Sequence, residues 1–283
     1  MRYPGFLYVI TFIFISGLYS ILSASEIYPW LADYDPSATI EARISPPEDY
    51  RRVPVKPGSF AHWLRRLPVK PGRPEVHLFN GRPRGRQDHH EAVVDIDTGD
   101  RDLQQCADAV IRLRAEYLFS RGRFDSIHFN FTSGDTAFYT GWREGFRPQV
   151  SGRRVSWRRI AEPDSSHECF RDYLETVFAY AGSYSLEREL VPVEDPSEMK
   201  IGDVFIQGGF PGHAVIVVDM ARKPESGEKV FLLAQSYMPA QDIHILRNPE
   251  DEEISPWYSA EFGDFLRTPE WEFKNNDLVG FSN

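Results

Sequence analysis

Hydrophobic residues alternate faces from His213 to Met220, with His213, Val215, Val217 and Asp219 on one side and Ala214, Ile216 and Val218 on the other. That is the period of a strand, and its two mainly apolar faces predict one that is largely buried. The stretches "KIGDVFIQGG" before it and "GEKVFLLAQSYM" after it have the same character. The turns "GGFPG" and Glu225 to Gly227 join the three into an antiparallel meander, and "DIHILRNP" adds a strand. Upstream the period changes. Leu103, Cys106, Val110, Leu113 and Tyr117 recur at steps of three and four, one face of a helix capped by Asp100 or Asp102. A second helix opens at "SSHECF", with Ser165 and Glu168 as a capping box, an apolar stripe from Phe170 to Ala181, and Gly182 as its stop. "EVHLFNG", "EAVVDIDTG" and "SIHFNFTSG" read as short strands, and "FAHWLRR" as a short helix between the similar turns "VPVKPGS" and "LPVKPGR". Helices followed by a run of consecutive strands predict an α+β fold, with helices packed on an antiparallel sheet.

The first residues change the expected compartment. One arginine, an apolar run from Phe6 to Leu22 and the small residues Ser23, Ala24 and Ser25 read as a secretory signal peptide over 1–25. A retained N-terminal anchor is the alternative, since the run is near spanning length. Residues 26–60 form a Pro-rich arm, and 61–283 a single α+β domain. No second apolar run of spanning length follows, so a protein free of the membrane after signal cleavage is expected, in the periplasm or secreted. A net charge of −10 argues against nucleic acid as a partner. Arg51 to Arg86 is nonetheless basic and the chain from Glu250 onward acidic. Either the two ends meet in the fold, or the basic segment faces an anionic partner such as a cell-wall glycan or lipid headgroup. Oligomeric state is not set by these features.

Candidate chemistry centres on His213. A histidine at the mouth of a buried strand is half fixed and half accessible, which suits a general base; a strand-end histidine bonded to backbone is the alternative. There are two cysteines, Cys106 and Cys169, the second in the first turn of its helix, where unpaired amides favour a thiolate. A helix-borne cysteine, a "GDVFI" strand, His213 opening the next strand and Gln235 on the strand after form an order that resembles papain-like cell-wall peptidases of the NlpC and CHAP type. The resemblance implies a papain-like architecture, a cysteine nucleophile, His213 as base and Gln235 orienting the imidazole. Longer motifs, among them "FAHWLRRLPVKPG", "DLQQCADAVIRLRAEYL", "GDVFIQGGFPGHAVIVVDM", "FLLAQSYMPAQDIHIL", "SPWY" and "TPEW", resemble the exported bacterial family catalogued as domain of unknown function 4846. Cys106, Arg112, Arg114, Glu116, His213, Asp219, Gln235, Ser236, Tyr237 and Gln241 fall within those motifs and Cys169 does not. The resemblance therefore favours Cys106 as nucleophile, leaves Cys169 as the alternative, and marks Arg112, Glu116, Asp219, Ser236, Tyr237 and Gln241 as candidate binding residues.

Other constellations carry less. His89, His90 and Glu91, near His77, Asp95 and Asp97, have metal-ligand chemistry, but adjacent strand histidines face opposite ways, so no metal site is assigned. No phosphate loop, dinucleotide fingerprint or His-Glu-x-x-His stretch calls for a cofactor. Asp95 and Asp97 form a carboxylate pair of glycosidase type if they share a strand face, and Trp142, Trp157, Trp257 and Trp271 have the area to stack on sugars. Two functions are expected to compete: a thiol hydrolase cleaving amide bonds of cell-wall peptide, and a non-catalytic envelope protein holding a glycan or peptide near His213, Gln235 and Tyr237. Cys106 also fits a packing role between Leu103 and Val110, or a disulfide to Cys169 that would add about 4 kcal/mol and exclude a nucleophile. Alkylation of the exported protein before digestion should give separate adducts at Cys106 and Cys169. A cross-linked peptide joining them would retire Cys106 as nucleophile.

Overall fold

The computed structural model describes residues 27–282, so the expected signal segment lies outside the described residues. The strands Arg51–Arg52 (β1), His90–Val93 (β2), Val191–Pro192 (β3), Val204–Gln207 (β4), His213–Arg222 (β5), Lys229–Gln235 (β6), His244–Leu246 (β7), Tyr258–Ser259 (β8) and Leu278–Gly280 (β9) form one antiparallel sheet. Its order is β2-β7-β6-β5-β4-β9-β3, with β1 paired to β5 and β8 to β6. The main helices are Phe60–Arg65 (α1), Cys106–Ser120 (α2), His167–Tyr180 (α3) and Ser183–Glu189 (α4). The class is α+β, with more sheet than helix. Among the described residues no helix is long and apolar enough to cross a membrane.

The meander lies at the centre. β5 is buried from His213 through Ala221, with β4 and β6 on either side. Its register corrects the simple alternation. Pairing runs from Leu232 opposite Asp219 to Leu233 opposite Val217, so a β-bulge absorbs Val218. One extra residue reverses the sides beyond it. Asp219 thus shares a face with Ala214 and Ile216, not with His213.

On its face Asp219 is fully buried and accepts the Nε of both Arg52 and Arg65 at 2.6 Å, besides the Met220 amide at 2.8 Å. These contacts fasten β1 and α1 to the sheet. Residues 27–60 run over the same side, with Tyr28 donating to the Trp63 carbonyl and Trp30 to that of Asp95. Much of the basic segment is spent internally, through Arg52, Arg65, Lys70 on Asp242, and Arg84 on Glu270 of the acidic tail.

Local boundaries shift for identifiable reasons. α2 starts at Cys106, with Gln105 as cap and its amide donating to Asp108 at 3.1 Å. The expected cap Asp102 instead accepts from the Ala240 amide, tying this loop to the turn after β6. The α3 cap is Ser166, which accepts from Cys169; Ser165 accepts from Arg143. "EVHLFNG" makes only isolated bridges at His77 and Leu78, because Pro74, Pro83 and the turn at Gly81 interrupt any ladder. β2 ends at Val93, so Asp95 and Asp97 share no strand face.

Neutralising Asp219 would strand two guanidinium groups in the core. Asp219→Asn should cost about 3–5 kcal/mol, lowering the thermal midpoint by roughly 10 °C. A midpoint within 3 °C of wild type by differential scanning calorimetry, on the order of 1 kcal/mol, would show that the pair of arginines does not depend on this carboxylate.

Candidate functional site

Local packing determines how the glycine-rich turn delivers His213. The Gly208 amide donates to Glu187 of α4 at 2.8 Å. A Cβ on Gly212 would lie 2.3 Å from Ser183 Oγ and 2.7 Å from two carbonyl oxygens, so only glycine allows this approach. The tip is left outside, with Phe210 91% exposed. His213 goes the other way. The expectation of a half-accessible ring is corrected: His213 is 1% exposed. Its ring packs against Tyr237 at 4.8 Å, Trp271 at 5.3 Å and Phe273 at 5.9 Å between centroids. The segment after β8 folds over this face of the sheet and supplies the last two rings. Burial lowers the imidazole pKa to about 4, against weaker upward pulls from Gln235 and Glu270.

The hydrogen bonds around the ring have a defined direction. Gln235 Nε2 lies 2.9 Å from Glu270 Oε2, and Glu270 is paired with Arg84. An ionised carboxylate only accepts, so the amide nitrogen must point to Glu270 and Gln235 Oε1 must point away. That oxygen lies 2.8 Å from His213 Nε2, which therefore carries the proton. His213 Nδ1 is left as the basic nitrogen. On the other side His244 Nδ1 donates to the Asp242 carbonyl at 2.9 Å, leaving its Nε2, 3.4 Å from Gln235 Nε2, to accept. Burial lowers the His244 pKa to about 3, so this ring too is neutral.

Cys106 opens α2, one turn earlier in the helix than the apolar stripe implied. Burial first and then Asp108 push its thiol up to about 11, while the amides of Ala107 and Ala214 and its own amide pull it down. The Ala214 amide is in the peptide that joins it to His213, and Tyr237 feels the charge of Cys106. The fold thus gathers Cys106, the start of β5, Gln235 and Tyr237 in one place. Cys169 is elsewhere, buried under Trp142 and Arg147, its thiol raised by burial and Asp164. The two cysteines are free.

The other expected site residues lie inside the scaffold. Arg112, fully buried, bonds Glu116 at 2.7 Å, Gln104 at 3.0 Å and Asp97 at 3.1 Å, and Glu116 also meets His167 of α3. The Ser236 hydroxyl shares its one proton between the carbonyls of Gln104 at 2.9 Å and Gln241 at 2.8 Å, locking the departure of the chain from β6 to the start of α2. Gln241 is buried in that junction and Asp219 lies on the opposite face from His213. Of the six expected binding residues only Tyr237 is partly open to solvent beside His213. Trp142 and Trp257 are core residues, while Trp271 donates to Gln207 and lies on His213. Among the described residues no group of three or more His, Cys, Asp or Glu is arranged to hold a metal ion. The residues missed from sequence are Arg84, Glu270 and His244; "TPEW" was the available signal for Glu270, with no pattern linking it to Gln235.

The fold and site define an α+β protein in which an amide-oriented, buried histidine stands where a helix-opening cysteine meets the central strand. The model of the family described as domain of unknown function (4846) matches residues 40–280, and the chain belongs to that family. No curated protein and no solved structure matches it.

The two neutral histidines set an acid limit on stability. An unfolded histidine binds a proton near pH 6.5, whereas the folded pKa values are about 4 for His213 and about 3 for His244. Between those values the unfolded chain holds more protons, so these rings contribute fully above about pH 6.5 and lose that contribution as pH falls, to about 4 for His213 and about 3 for His244. Nitrogen-15 spectra should show both imidazoles neutral, with a single ring proton each, down to about pH 5. Titration of either ring near pH 6.5 would contradict its burial.

Proposed function

We propose that the chain is a thiol hydrolase, an amidase or peptidase of cell-wall peptide acting outside the cytoplasm, on a papain-like scaffold. The observation that carries this reading is the direction of the Glu270–Gln235–His213 hydrogen bonds. They protonate Nε2 and free Nδ1, the arrangement a general base needs when a polar side chain holds its far nitrogen. The reaction would run as follows. His213 Nδ1 takes the proton of the Cys106 thiol as the sulfur adds to the amide carbonyl. The unpaired first-turn amides of α2 supply donors beside the sulfur for the developing oxyanion. The imidazolium returns the proton to the leaving amine, and water releases the acid from the thioester.

A thiol raised to about 11 and an imidazole lowered to about 4 are both neutral at rest, so proton transfer must accompany attack on the substrate. The same values favour the second reading, a non-catalytic envelope protein that holds a glycan or peptide near His213, Gln235 and Tyr237, where Phe210 and Met238, in the turns flanking β5 and β6, are 91% and 59% exposed.

Purified cell wall separates the readings. Wild type should release muropeptides detectable by mass spectrometry, Cys106→Ala should release at least about 1,000-fold less, and Cys169→Ser should match wild type. Wall retention without release, equal in wild type and Cys106→Ala, would leave the binding reading. Glu270→Gln frees the Gln235 amide to turn over. It should lower kcat by about 10–100-fold with KM little changed, and nitrogen-15 spectra should show His213 in both tautomers. A single unaltered tautomer in that variant would remove Glu270 from the mechanism.

A further inference from the structure

We propose that a cavity at the far end of β5 binds an amphipathic anion, an apolar body with a carboxylate or phosphate head, anchored by Arg114. This goes beyond the hydrolase reading and does not depend on it. The cavity has a volume of ≈ 960 Å³, within the range of about 300–1,000 Å³ usual for small-molecule sites. Met220 and Arg222 of β5 line it, so it is separated from His213 by most of a ten-residue strand, more than about 20 Å.

Arg114 is the unusual group in its wall. Burial lowers its pKa to about 10, with Arg123 adding to the effect, and no carboxylate bears on it. Its guanidinium carbon lies 5.0 Å from the centroid of Phe60 and 4.8 Å from that of Phe281. Those rings hold the plane of the fork but satisfy none of its N–H donors. Arg65 and Arg112, withdrawn from water more completely than the half-buried Arg114, each have a buried carboxylate at 2.6 Å and 2.7 Å. Among the described residues Arg114 has none. A partly desolvated guanidinium gains most from a counter-charge in the same enclosure.

The rest of the lining fits the same class of ligand. Lysines and arginines outnumber acids by five to three, and Val53, Val193, Met199 and Ile201 supply apolar wall. Asp203, the buried acid of the group, is bonded to the Lys200 amide and raised by burial to about 6. A head on the Arg114 fork with a chain along the valines would use both characters of the cavity.

Calorimetric titration of the full chain with decanoate, decyl phosphate and decanol tests this. At least one of the two anions should bind ten-fold or more tightly than decanol, and the tighter one names the head group. Arg114→Met keeps length and ring contact and should abolish that preference, while Glu270→Gln should leave it intact. Decanol binding as well as both anions overturns the proposal, as does none of the three binding, or an anion preference that survives in Arg114→Met. The wild-type comparison needs no variant, so it decides the matter even if Arg114→Met fails to fold.

Discussion

Everything polar on β5 has to find a partner inside the protein, because the strand is buried on both faces from His213 to Ala221. Unpartnered polar groups there would cost on the order of 1–3 kcal/mol each, and a lone carboxylate more. The fold answers at both ends. Asp219 draws in two arginines and with them the arm and α1, while His213 draws in Gln235, and Gln235 draws in Glu270 and Arg84. Segments remote in sequence are thus held together by the partners that one strand requires.

The same burial shapes the chemistry. A ring sealed under Tyr237, Trp271 and Phe273 stays neutral and fixed, and the half-buried thiol at the head of α2, raised by burial and Asp108, stays protonated. The site is therefore ordered but not charged at rest. Its hydrogen-bond direction, unlike its pKa values, does not depend on how much water enters, because Glu270 can only accept. Orientation is the property the structure provides most firmly here.

Arg112 illustrates how site and scaffold merge. Its fork joins Asp97, Gln104 and Glu116, and the carbonyl of Gln104 accepts from Ser236 two residues before the α2 cysteine. Residues read as binding groups are thereby the parts that place Cys106 next to β5. A buried charge in a motif signals importance without saying whether it touches a ligand or holds what does.

The period of the apolar positions was enough to find the meander, both long helices and the α+β class, because burial of a face imposes a two- or 3.6-residue repeat directly on the chain. It also put His213 at the mouth of one strand and Gln235 at the end of the next, the pair that the resemblance to papain-like peptidases then marked. It failed at Asp219, where a bulge at Val218 reversed the sides, and bulges leave no mark on polarity. It failed for the exposure of His213, which depends on Trp271 and Phe273 arriving from the far end of the chain. Glu270 and Arg84, 186 residues apart, meet only through the folded sheet. The sequence by itself determined the elements and their faces, since those follow from local periodicity; tertiary structure alone decided burial, proton position and partnership, since these depend on residues that chain order does not bring together.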